Sequence, residues 1–285
     1  MTIFLLVAAL KKGAEPAILL NIGHAAPGVD YIISFMLTML MGSYTLVGFE
    51  TSANLSEETV QAPKTVPRAI IASVALSGIF GLFFLIAATL AIPNINDVLA
   101  SSNPLPFVIE ANLGIFIGKL FLVFVCISIF ACGLIIITSA GRLIYAMSRD
   151  GLFFFSRIFK KISPTTNSPV AATLLILVLS FIATCFAASL TVLVGATAVL
   201  PALIYLITVI AYGTARRKAH FKATSFTLGK FTYPIFALAI LWLITEIGFL
   251  TIPKKFHQVT LVTGLLFIVG VIFYFLFFQK RMLRT

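Results

Sequence analysis

Charged side chains are scarce in this sequence. Asp, Glu, Lys and Arg make up only 10% of its 285 residues, whereas 60% of the residues are apolar. Soluble globular domains have about 25% charged and about 45 to 50% apolar residues. A soluble fold could not bury this much apolar surface. The composition therefore excludes a soluble protein and indicates one that spans a membrane.

Cysteine and histidine are also few, with three residues of each. The cysteines lie inside apolar runs without metal-ligand spacing, and the histidines are scattered between such runs: Cys126, Cys132 and Cys185; His24, His220 and His257. This distribution contains neither a zinc site nor a nucleophile beside a base. We therefore expect no metal, no cofactor and no enzymatic activity.

Long apolar runs dominate what is present. A bilayer core about 30 Å thick needs roughly 20 apolar residues as an α-helix. Seven runs have about this length, at 31–53, 69–92, 117–147, 170–188, 190–212, 232–252 and 258–278. They are continuous rather than alternating, which favours helices over a β-barrel. The predicted fold class is an all-α membrane protein with seven full transmembrane helices.

The first ten residues, MTIFLLVAAL, are apolar but too few to cross a bilayer, and Lys11 and Lys12 follow them directly. A signal peptide would carry a positive region before its apolar run, and this run has none. We interpret residues 1–10 as the short remnant of a helix whose beginning is absent from the chain.

Lys and Arg are distributed unevenly between the two sides of the predicted membrane. With the segment before Tyr31 outside, fifteen of the twenty basic residues fall on the inner side. The positive-inside rule then predicts a cytoplasmic C-terminus in a multi-pass protein of the plasma or inner membrane. The net charge of +11 is explained by this topology and by attraction to anionic membrane lipid, so it requires no nucleic acid partner.

The predicted span 31–53 changes character half way along. Small and polar residues interrupt it between Gly42 and Gly48, and Glu50 follows. A carboxylate at the membrane centre costs about 2.5 to 3.5 kcal/mol, so such groups usually face a cavity or a partner. If the helix unwinds near Thr45 to Gly48, backbone carbonyls become free to bind a substrate ammonium or a cation. The alternative is an intact helix with Glu50 at the cytoplasmic interface.

Two segments carry a family resemblance. GFETSANLSEETVQAPKTVPRAI, Gly48 to Ile70, resembles the end of helix six and the start of helix seven in permeases of the amino acid-polyamine-organocation (APC) superfamily. GRLIYAMSRDGLF, Gly141 to Phe153, resembles the end of that family's eighth helix. The resemblance implies helices six through twelve, which form the second inverted repeat of the leucine-transporter-type fold plus two extra helices. It also implies secondary active transport of amino acids or related amines, in a chain that lacks most of helices one to five.

The resemblance divides the chain into four parts. Residues 1–30 are a truncated helix and an extracellular loop, and 31–212 are the second transport repeat of five helices. Within that repeat, 93–118 corresponds to an extracellular lid. Residues 213–231 are a basic cytoplasmic loop, and 232–285 are two accessory helices with a cytoplasmic tail. Glu246 lies in the middle of an accessory span, and we expect it to be protonated or paired within the protein.

The same resemblance assigns site residues. It implies that the substrate is bound at the helix break, mainly by backbone groups of six residues: Tyr44, Thr45, Leu46, Val47, Gly48 and Phe49. For ion coupling it implies a small-hydroxyl pair on the eighth helix, where Thr138 and Ser139 lie, unless both hydroxyls bond to their own helix. Glu50 is a further coupling candidate, and the coupling ion is either H⁺ or Na⁺.

An intracellular gate is the last implied feature. Arg142 and Arg149 lie near the inner end of the third span, where they can pair with Glu57 or Glu58. The alternative is that both arginines extend to lipid phosphates.

Two other functions share the predicted topology. Seven spans also suit a ligand-sensing receptor, although residues 258–278 contain no lysine for retinal. A non-transporting partner subunit is the second alternative. Neither explains the interrupted first span. The partners expected for a permease are an amino acid or amine substrate, membrane lipid and the missing N-terminal half.

Overall fold

The computed structural model describes residues 2–14, 16–20, 31, 35, 38, 42–43, 45–186, 190–216, 226–252 and 257–279. Within these residues every regular element is a helix, and no strand occurs. Five of the helices are long and apolar enough to cross a membrane, which confirms an all-helical, multi-pass membrane protein. The chain divides into two compact units, Met1–Ala26 with Ile71–Ile136 and Pro27–Ile70 with Ile137–Thr285.

In chain order the α-helices are α1 (Thr2–Lys11), α2 (Thr51–Asn54), α3 (Ala62–Leu90), α4 (Ile95–Ala100), α5 (Pro104–Leu113), α6 (Ile115–Arg149), α7 (Ser156–Phe159), α8 (Val170–Phe186), α9 (Leu190–Arg216), α10 (Thr232–Thr251) and α11 (His257–Phe273). Short 3₁₀ turns cover Pro16–Leu20, Ser56–Glu58 and Gly229–Phe231, and a π-helix, Tyr274–Phe278, follows α11.

Five of the predicted spans coincide with α3, α6, α9, α10 and α11. Some helices are longer than the apolar runs, because a helix can continue beyond the apolar residues that fit the hydrocarbon core of a bilayer. Thus α3 begins at Ala62 rather than 69, and α6 has 35 residues. The span predicted at 170–188 corresponds to α8, whose 17 residues are shorter than the usual crossing length of about 20. Residues 187–189 and most of 31–41 lie outside the described residues, so the count of seven remains a prediction.

The unit formed by Met1–Ala26 and Ile71–Ile136 is centred on a cluster of buried apolar side chains from α1, α4, α5 and the end of α3: Leu5, Ala9, Ala91, Val98, Val108 and Ile109. Lys12 extends this packing, because its Nζ donates a hydrogen bond to the Ala111 carbonyl oxygen at 2.8 Å. The N-terminal apolar segment is therefore a packed helix of this unit.

The predicted lid region, 93–118, contains α4 and α5 in the same unit. Asn94 caps α4, since its side chain accepts a hydrogen bond from the Asn96 backbone N–H at 3.0 Å. The Asn112 side-chain amide donates to the carbonyl oxygens of Ala91 (2.6 Å) and Val108 (2.8 Å). The bond to Ala91 ties the end of α5 to the end of α3, whereas the bond to Val108 lies within α5; the role as a lid remains a prediction.

The second unit contains a close assembly of α9, α10 and α11. Ala198, Val199, Leu250 and Val259 form its buried cluster. A Cβ atom added to Gly195 would lie 2.6 Å from the Val259 side chain, and one added to Gly213 would lie 2.6 Å from Phe236. Glycine at both positions thus allows the neighbouring helix to approach closely, as small residues do between membrane helices.

Candidate substrate and gating site

The chain leaves the helical conformation between Thr45 and Thr51. Thr45 is still helical, and the Leu46 N–H donates to the Gly42 carbonyl oxygen at 3.1 Å. Val47 and Gly48 belong to no helix, and α2 begins at Thr51, whose N–H bonds to the Gly48 carbonyl oxygen. The backbone therefore leaves the helix at the predicted place and is not one continuous helix from Thr45 to Thr51, while the position of Glu50 relative to the cytoplasmic interface remains a prediction.

Gly48 occupies the critical position of this break because its φ is +99°. Residues other than glycine rarely adopt such a conformation. A Cβ atom at this position would meet no described heavy atom within 4 Å, so the requirement for glycine is conformational rather than steric. Of the other residues predicted to bind substrate, Thr45 and Leu46 are exposed and Val47 and Phe49 are half-buried, while Tyr44 lies outside the described residues.

Glu50 is held by a residue that the sequence did not indicate. The Tyr205 hydroxyl on α9 donates a hydrogen bond to Glu50 Oε2 at 2.5 Å. The Tyr205 ring also packs against Phe49, with ring centroids 4.9 Å apart. Tyr205 was missed because it lies in an apolar run 155 residues from its partner, and no local pattern links the two. The carboxylate next to the helix break thus has a specific hydrogen-bond partner, which offsets part of the cost of removing it from water.

Glu246 approaches the same region from α10. It is 9% exposed and shares the buried face of α10 with Leu243 and Leu250. Tyr205 lies within its electrostatic reach. The acidic group of the accessory helix is therefore directed into the contact between α9 and α10 rather than towards lipid.

The two hydroxyls predicted for ion coupling lie in different environments. Ser139 is 5% exposed, and its Oγ accepts a hydrogen bond from the Asn54 side-chain amide at 3.0 Å. Thr138 is exposed. Consecutive residues on an α-helix point about 100° apart, which accounts for the difference. The Ser139 bond connects α6 to α2 beside the helix break, and the coupling role of the pair remains a prediction.

Both arginines at the C-terminal end of α6 form ion pairs with the predicted glutamates. Arg149 donates two parallel hydrogen bonds to Glu57, from Nη1 to Oε2 at 2.7 Å and from Nη2 to Oε1 at 2.8 Å. Arg142 Nη2 lies 2.9 Å from Glu58 Oε2. The side chains are 30 to 59% exposed, so the pairs contribute little to overall stability and act mainly by fixing geometry. They join the segment after the helix break to the end of α6.

Metal binding finds no support among the described residues, where no group of three or more His, Cys, Asp or Glu side chains is placed to hold an ion.

Comparison with known proteins gives consistent results. The amino acid permease family matches residues 1–278 of the chain. The amino-acid permease BAT1 of Arabidopsis thaliana is 29% identical over 248 residues, which cover 80% of this chain and 46% of BAT1. A putative polyamine transporter of Candida albicans is 31% identical over 156 residues, covering 52% of this chain and 27% of the relative. The low-affinity putrescine importer PlaP of Escherichia coli K12 is 29% identical over 160 residues, or 54% of this chain and 35% of PlaP.

The chain thus spans about half the length of BAT1 and less of the other two relatives. All three are named for transport and none for catalysis, which supports the prediction that the chain is not an enzyme. The family match includes both signature segments, 48–70 and 141–153. A match of this extent shows that the chain belongs to the amino acid permease family of the APC superfamily.

Proposed function

We propose that this chain forms the second-repeat part of a secondary transporter for amino acids or related amines, which works by alternating access around the break at Thr45–Thr51. The observation that carries the proposal is the interrupted helix with its positive-φ glycine, Gly48, next to the paired carboxylate of Glu50. Broken helices of this kind form substrate sites in many transporters.

The substrate's ammonium group is bound by the carbonyl end of the helix that terminates at Thr45. Carbonyl groups at a helix C-terminus carry partial negative charge, so they attract a cation. The aromatic pair Phe49 and Tyr205 lies beside this end and offers a ring face to the same charge. Names of relatives that mention amino acids, polyamines and putrescine support an ammonium-bearing substrate.

A proton is the coupling ion in this proposal, and Glu50 is the group that exchanges it. The Tyr205 hydroxyl holds the Glu50 carboxyl group beside the break, where a bound proton would change the charge next to the substrate's ammonium group. Sodium coupling through Thr138 and Ser139 is the alternative, which a sodium-free uptake assay distinguishes.

Ion pairs close the cytoplasmic side in the proposed cycle. The pairs Arg149–Glu57 and Arg142–Glu58 link the segment after the break to α6 and must separate when the site opens inwards. The C-terminus lies in the cytoplasm, and the membrane is the plasma or inner membrane. The cytoplasmic C-terminus is supported by the distribution of basic residues.

The site is completed by the five N-terminal helices of the fold. The most apolar 18-residue windows of α3 and α6 contain no buried residue, whereas 28% of the corresponding window of α9 is buried. Exposed faces of this length need cover from lipid or from other helices. We propose that the first repeat covers part of them, and that α3, α6 and α8 belong to a second repeat with the helix break.

Substitution of Gly48 by alanine in the complete protein tests the proposal. A non-glycine residue at this φ costs roughly 1 to 3 kcal/mol, so the break should shift and uptake of the amino acid or amine should fall by about fivefold or more. Radiolabelled uptake into vesicles measures this effect, with membrane insertion followed by immunoblot.

Gly42→Ala is the matched control. Gly42 is helical, and an added Cβ meets no described atom within 4 Å, as at Gly48, so only the backbone conformation differs. Uptake close to the unsubstituted level is expected for Gly42→Ala. Normal uptake by Gly48→Ala would contradict the site, and absence of saturable uptake by the unsubstituted protein for every amino acid and amine would contradict the function.

A further inference from the structure

A cavity of about 560 Å³ lies between the facing ends of α9 and α10. Val209, Tyr212 and Arg216 line it from one face of α9, and Ile235, Phe236 and Ala239 line it from one face of α10. The segment 226–228 closes one end. The cavity is within the usual size range of small-ligand sites, and its walls are mostly apolar.

Arg216 is the charged side chain that lines this cavity. Its Nη1 donates a hydrogen bond to the Tyr212 hydroxyl at 2.9 Å, and its guanidinium carbon lies 5.6 Å from the centre of the Tyr233 ring. No carboxylate of the described residues forms an ion pair with it. Two tyrosines therefore orient a guanidinium whose charge is not neutralised by a described acidic group. A guanidinium of this kind favours phosphate, which it can bind through two parallel hydrogen bonds.

The position of the cavity along the helices determines what kind of phosphate it can meet. It lies at the end of α9 and the beginning of α10, where the spans give way to the predicted cytoplasmic loop 213–231. Arg217, Lys218, Lys222 and Lys230 in this loop add positive charge in sequence. Anionic lipids of the cytoplasmic leaflet attract basic residues at this level.

Apolar surface continues from the cavity along α10. Ile235, Leu238, Leu241 and Trp242 are all more than 40% exposed, and no described element covers them. A ligand with a charged head at Arg216 and an apolar tail along α10 would match both features. A free phosphate would contact Arg216 but not the apolar face of α10.

We propose that this cavity binds the headgroup of an anionic phospholipid from the cytoplasmic leaflet. The phosphate pairs with Arg216, the aromatic walls receive the glycerol region and upper acyl chain, and the remaining chain lies on the exposed face of α10. The site is separate from the proposed substrate site and does not depend on which substrate is carried.

The single tryptophan of the chain, Trp242, provides a direct measurement. It lies one helical turn from Ala239 of the cavity, on the side where the acyl chain is placed. The full chain is reconstituted into vesicles of unlabelled phosphatidylcholine. One series contains increasing fractions of phosphatidylglycerol with brominated acyl chains, and the other contains increasing fractions of phosphatidylcholine with brominated acyl chains. Brominated phosphatidylglycerol should quench Trp242 half-maximally at about fivefold lower mole fraction than the zwitterionic lipid.

Three substitutions distinguish lipid binding in the cavity from general electrostatic attraction between the chain and anionic lipid. Arg216→Gln should abolish the fivefold preference for brominated phosphatidylglycerol. Arg216→Lys keeps the positive charge but not the two parallel N–H donors of the guanidinium, so it should retain part of this preference. Arg157→Gln, on α7 outside the cavity, should leave the preference unchanged. Equal quenching by both lipids in the unsubstituted chain, or equal losses in Arg157→Gln and Arg216→Gln, would overturn the proposal.

Inorganic phosphate distinguishes a lipid from a free anion. Added at millimolar concentration, with sodium chloride of equal ionic strength as control, it should leave the lipid preference intact. Phosphate that removes the preference more than sodium chloride does would assign the cavity to a soluble anion and reject the lipid.

Discussion

Individual residues at the helix break carry the proposed chemistry. Gly48, Phe49 and Glu50 are consecutive in sequence, and Tyr205 completes the group from α9 through contacts with both side chains. The Tyr205 hydrogen bond fixes the position of the Glu50 carboxyl group beside the break. The geometry of this carboxyl group therefore depends on the position of α9.

The pair Glu50 and Tyr205 can be tested by a double-mutant cycle in the complete protein. Glu50→Gln should flatten the dependence of uptake on external pH, because an amide does not titrate in this range. Tyr205→Phe should lower uptake by about tenfold or more, since a hydrogen bond to a charged group contributes about 1.5 to 3 kcal/mol net of the competing bonds to water.

Non-additivity is the decisive outcome of this cycle. The double variant should transport about as well as Glu50→Gln alone, because Tyr205 acts through Glu50. Strictly multiplicative losses would show that the two residues act independently. An unaltered pH profile in Glu50→Gln would remove Glu50 from the coupling step.

At the scale of elements, the C-terminal half of α6 is held by contacts with α8 and with the segment before α3. Gly141 contacts α8, and Arg142 and Arg149 reach the segment before α3. A Cβ atom on Gly141 would lie 2.8 Å from Thr173 Oγ1 and 3.2 Å from the Thr173 Cα, so the obstacle includes backbone that cannot rotate away. The signature segment 141–153 thus combines helix packing with ion pairing.

Gly141→Ala should lower stability, because overpacking a tight contact typically costs about 1 to 3 kcal/mol. Thermal unfolding of the detergent-solubilised protein, followed by Trp242 fluorescence, measures the effect. Gly133→Ala on the same helix is the control, since its Cβ would meet no described atom within 4 Å and alanine favours a helix by up to about 1 kcal/mol. A Gly141→Ala melting temperature equal to or above that of Gly133→Ala would contradict the packing role.

Charge exchange tests the proposed gate. Glu57→Arg and Arg149→Glu should each reduce uptake, because like charges then face each other at the inner end of α6. Combining the two substitutions restores opposite charges and should recover much of the uptake. Asp150→Asn is the control. Asp150 bonds to the Nε of Arg149 at 3.1 Å, whereas Glu57 bonds to Nη1 and Nη2, so this substitution leaves the Glu57 pair intact. Failure of the double variant to exceed both single variants would reject a gating pair.

At the scale of the whole molecule, the orientation in the membrane follows from charge. Trypsin added to inside-out vesicles should cleave the basic loop 213–231, whereas right-side-out vesicles should protect it. Fragment sizes on an immunoblot against the C-terminal tail measure this directly. Cleavage in right-side-out vesicles alone would invert the predicted topology.

Much of the architecture could be predicted because the membrane imposes it. Twenty-residue apolar runs have one stable backbone arrangement in lipid, so α3, α6, α9, α10 and α11 were found with ends that differ from the predicted ones by at most seven residues. The break was predictable for a similar local reason, since small residues precede Glu50 in an otherwise apolar run. The glutamate and arginine pairs followed from the family's pattern together with opposite charge.

Contacts between distant segments were decided by the tertiary structure alone. Tyr205 resembles any tyrosine in an apolar helix until α9 brings it to Glu50, and Ser139 differs from Thr138 only because one of them faces Asn54. The same holds for the cavity at Arg216, which exists because α9 and α10 meet at Gly213 and Phe236. Hydrophobicity and charge are properties of each segment, so the sequence determined the class, the helices and the break. Which side chains meet depends on how helices pack, and only the folded chain determines that.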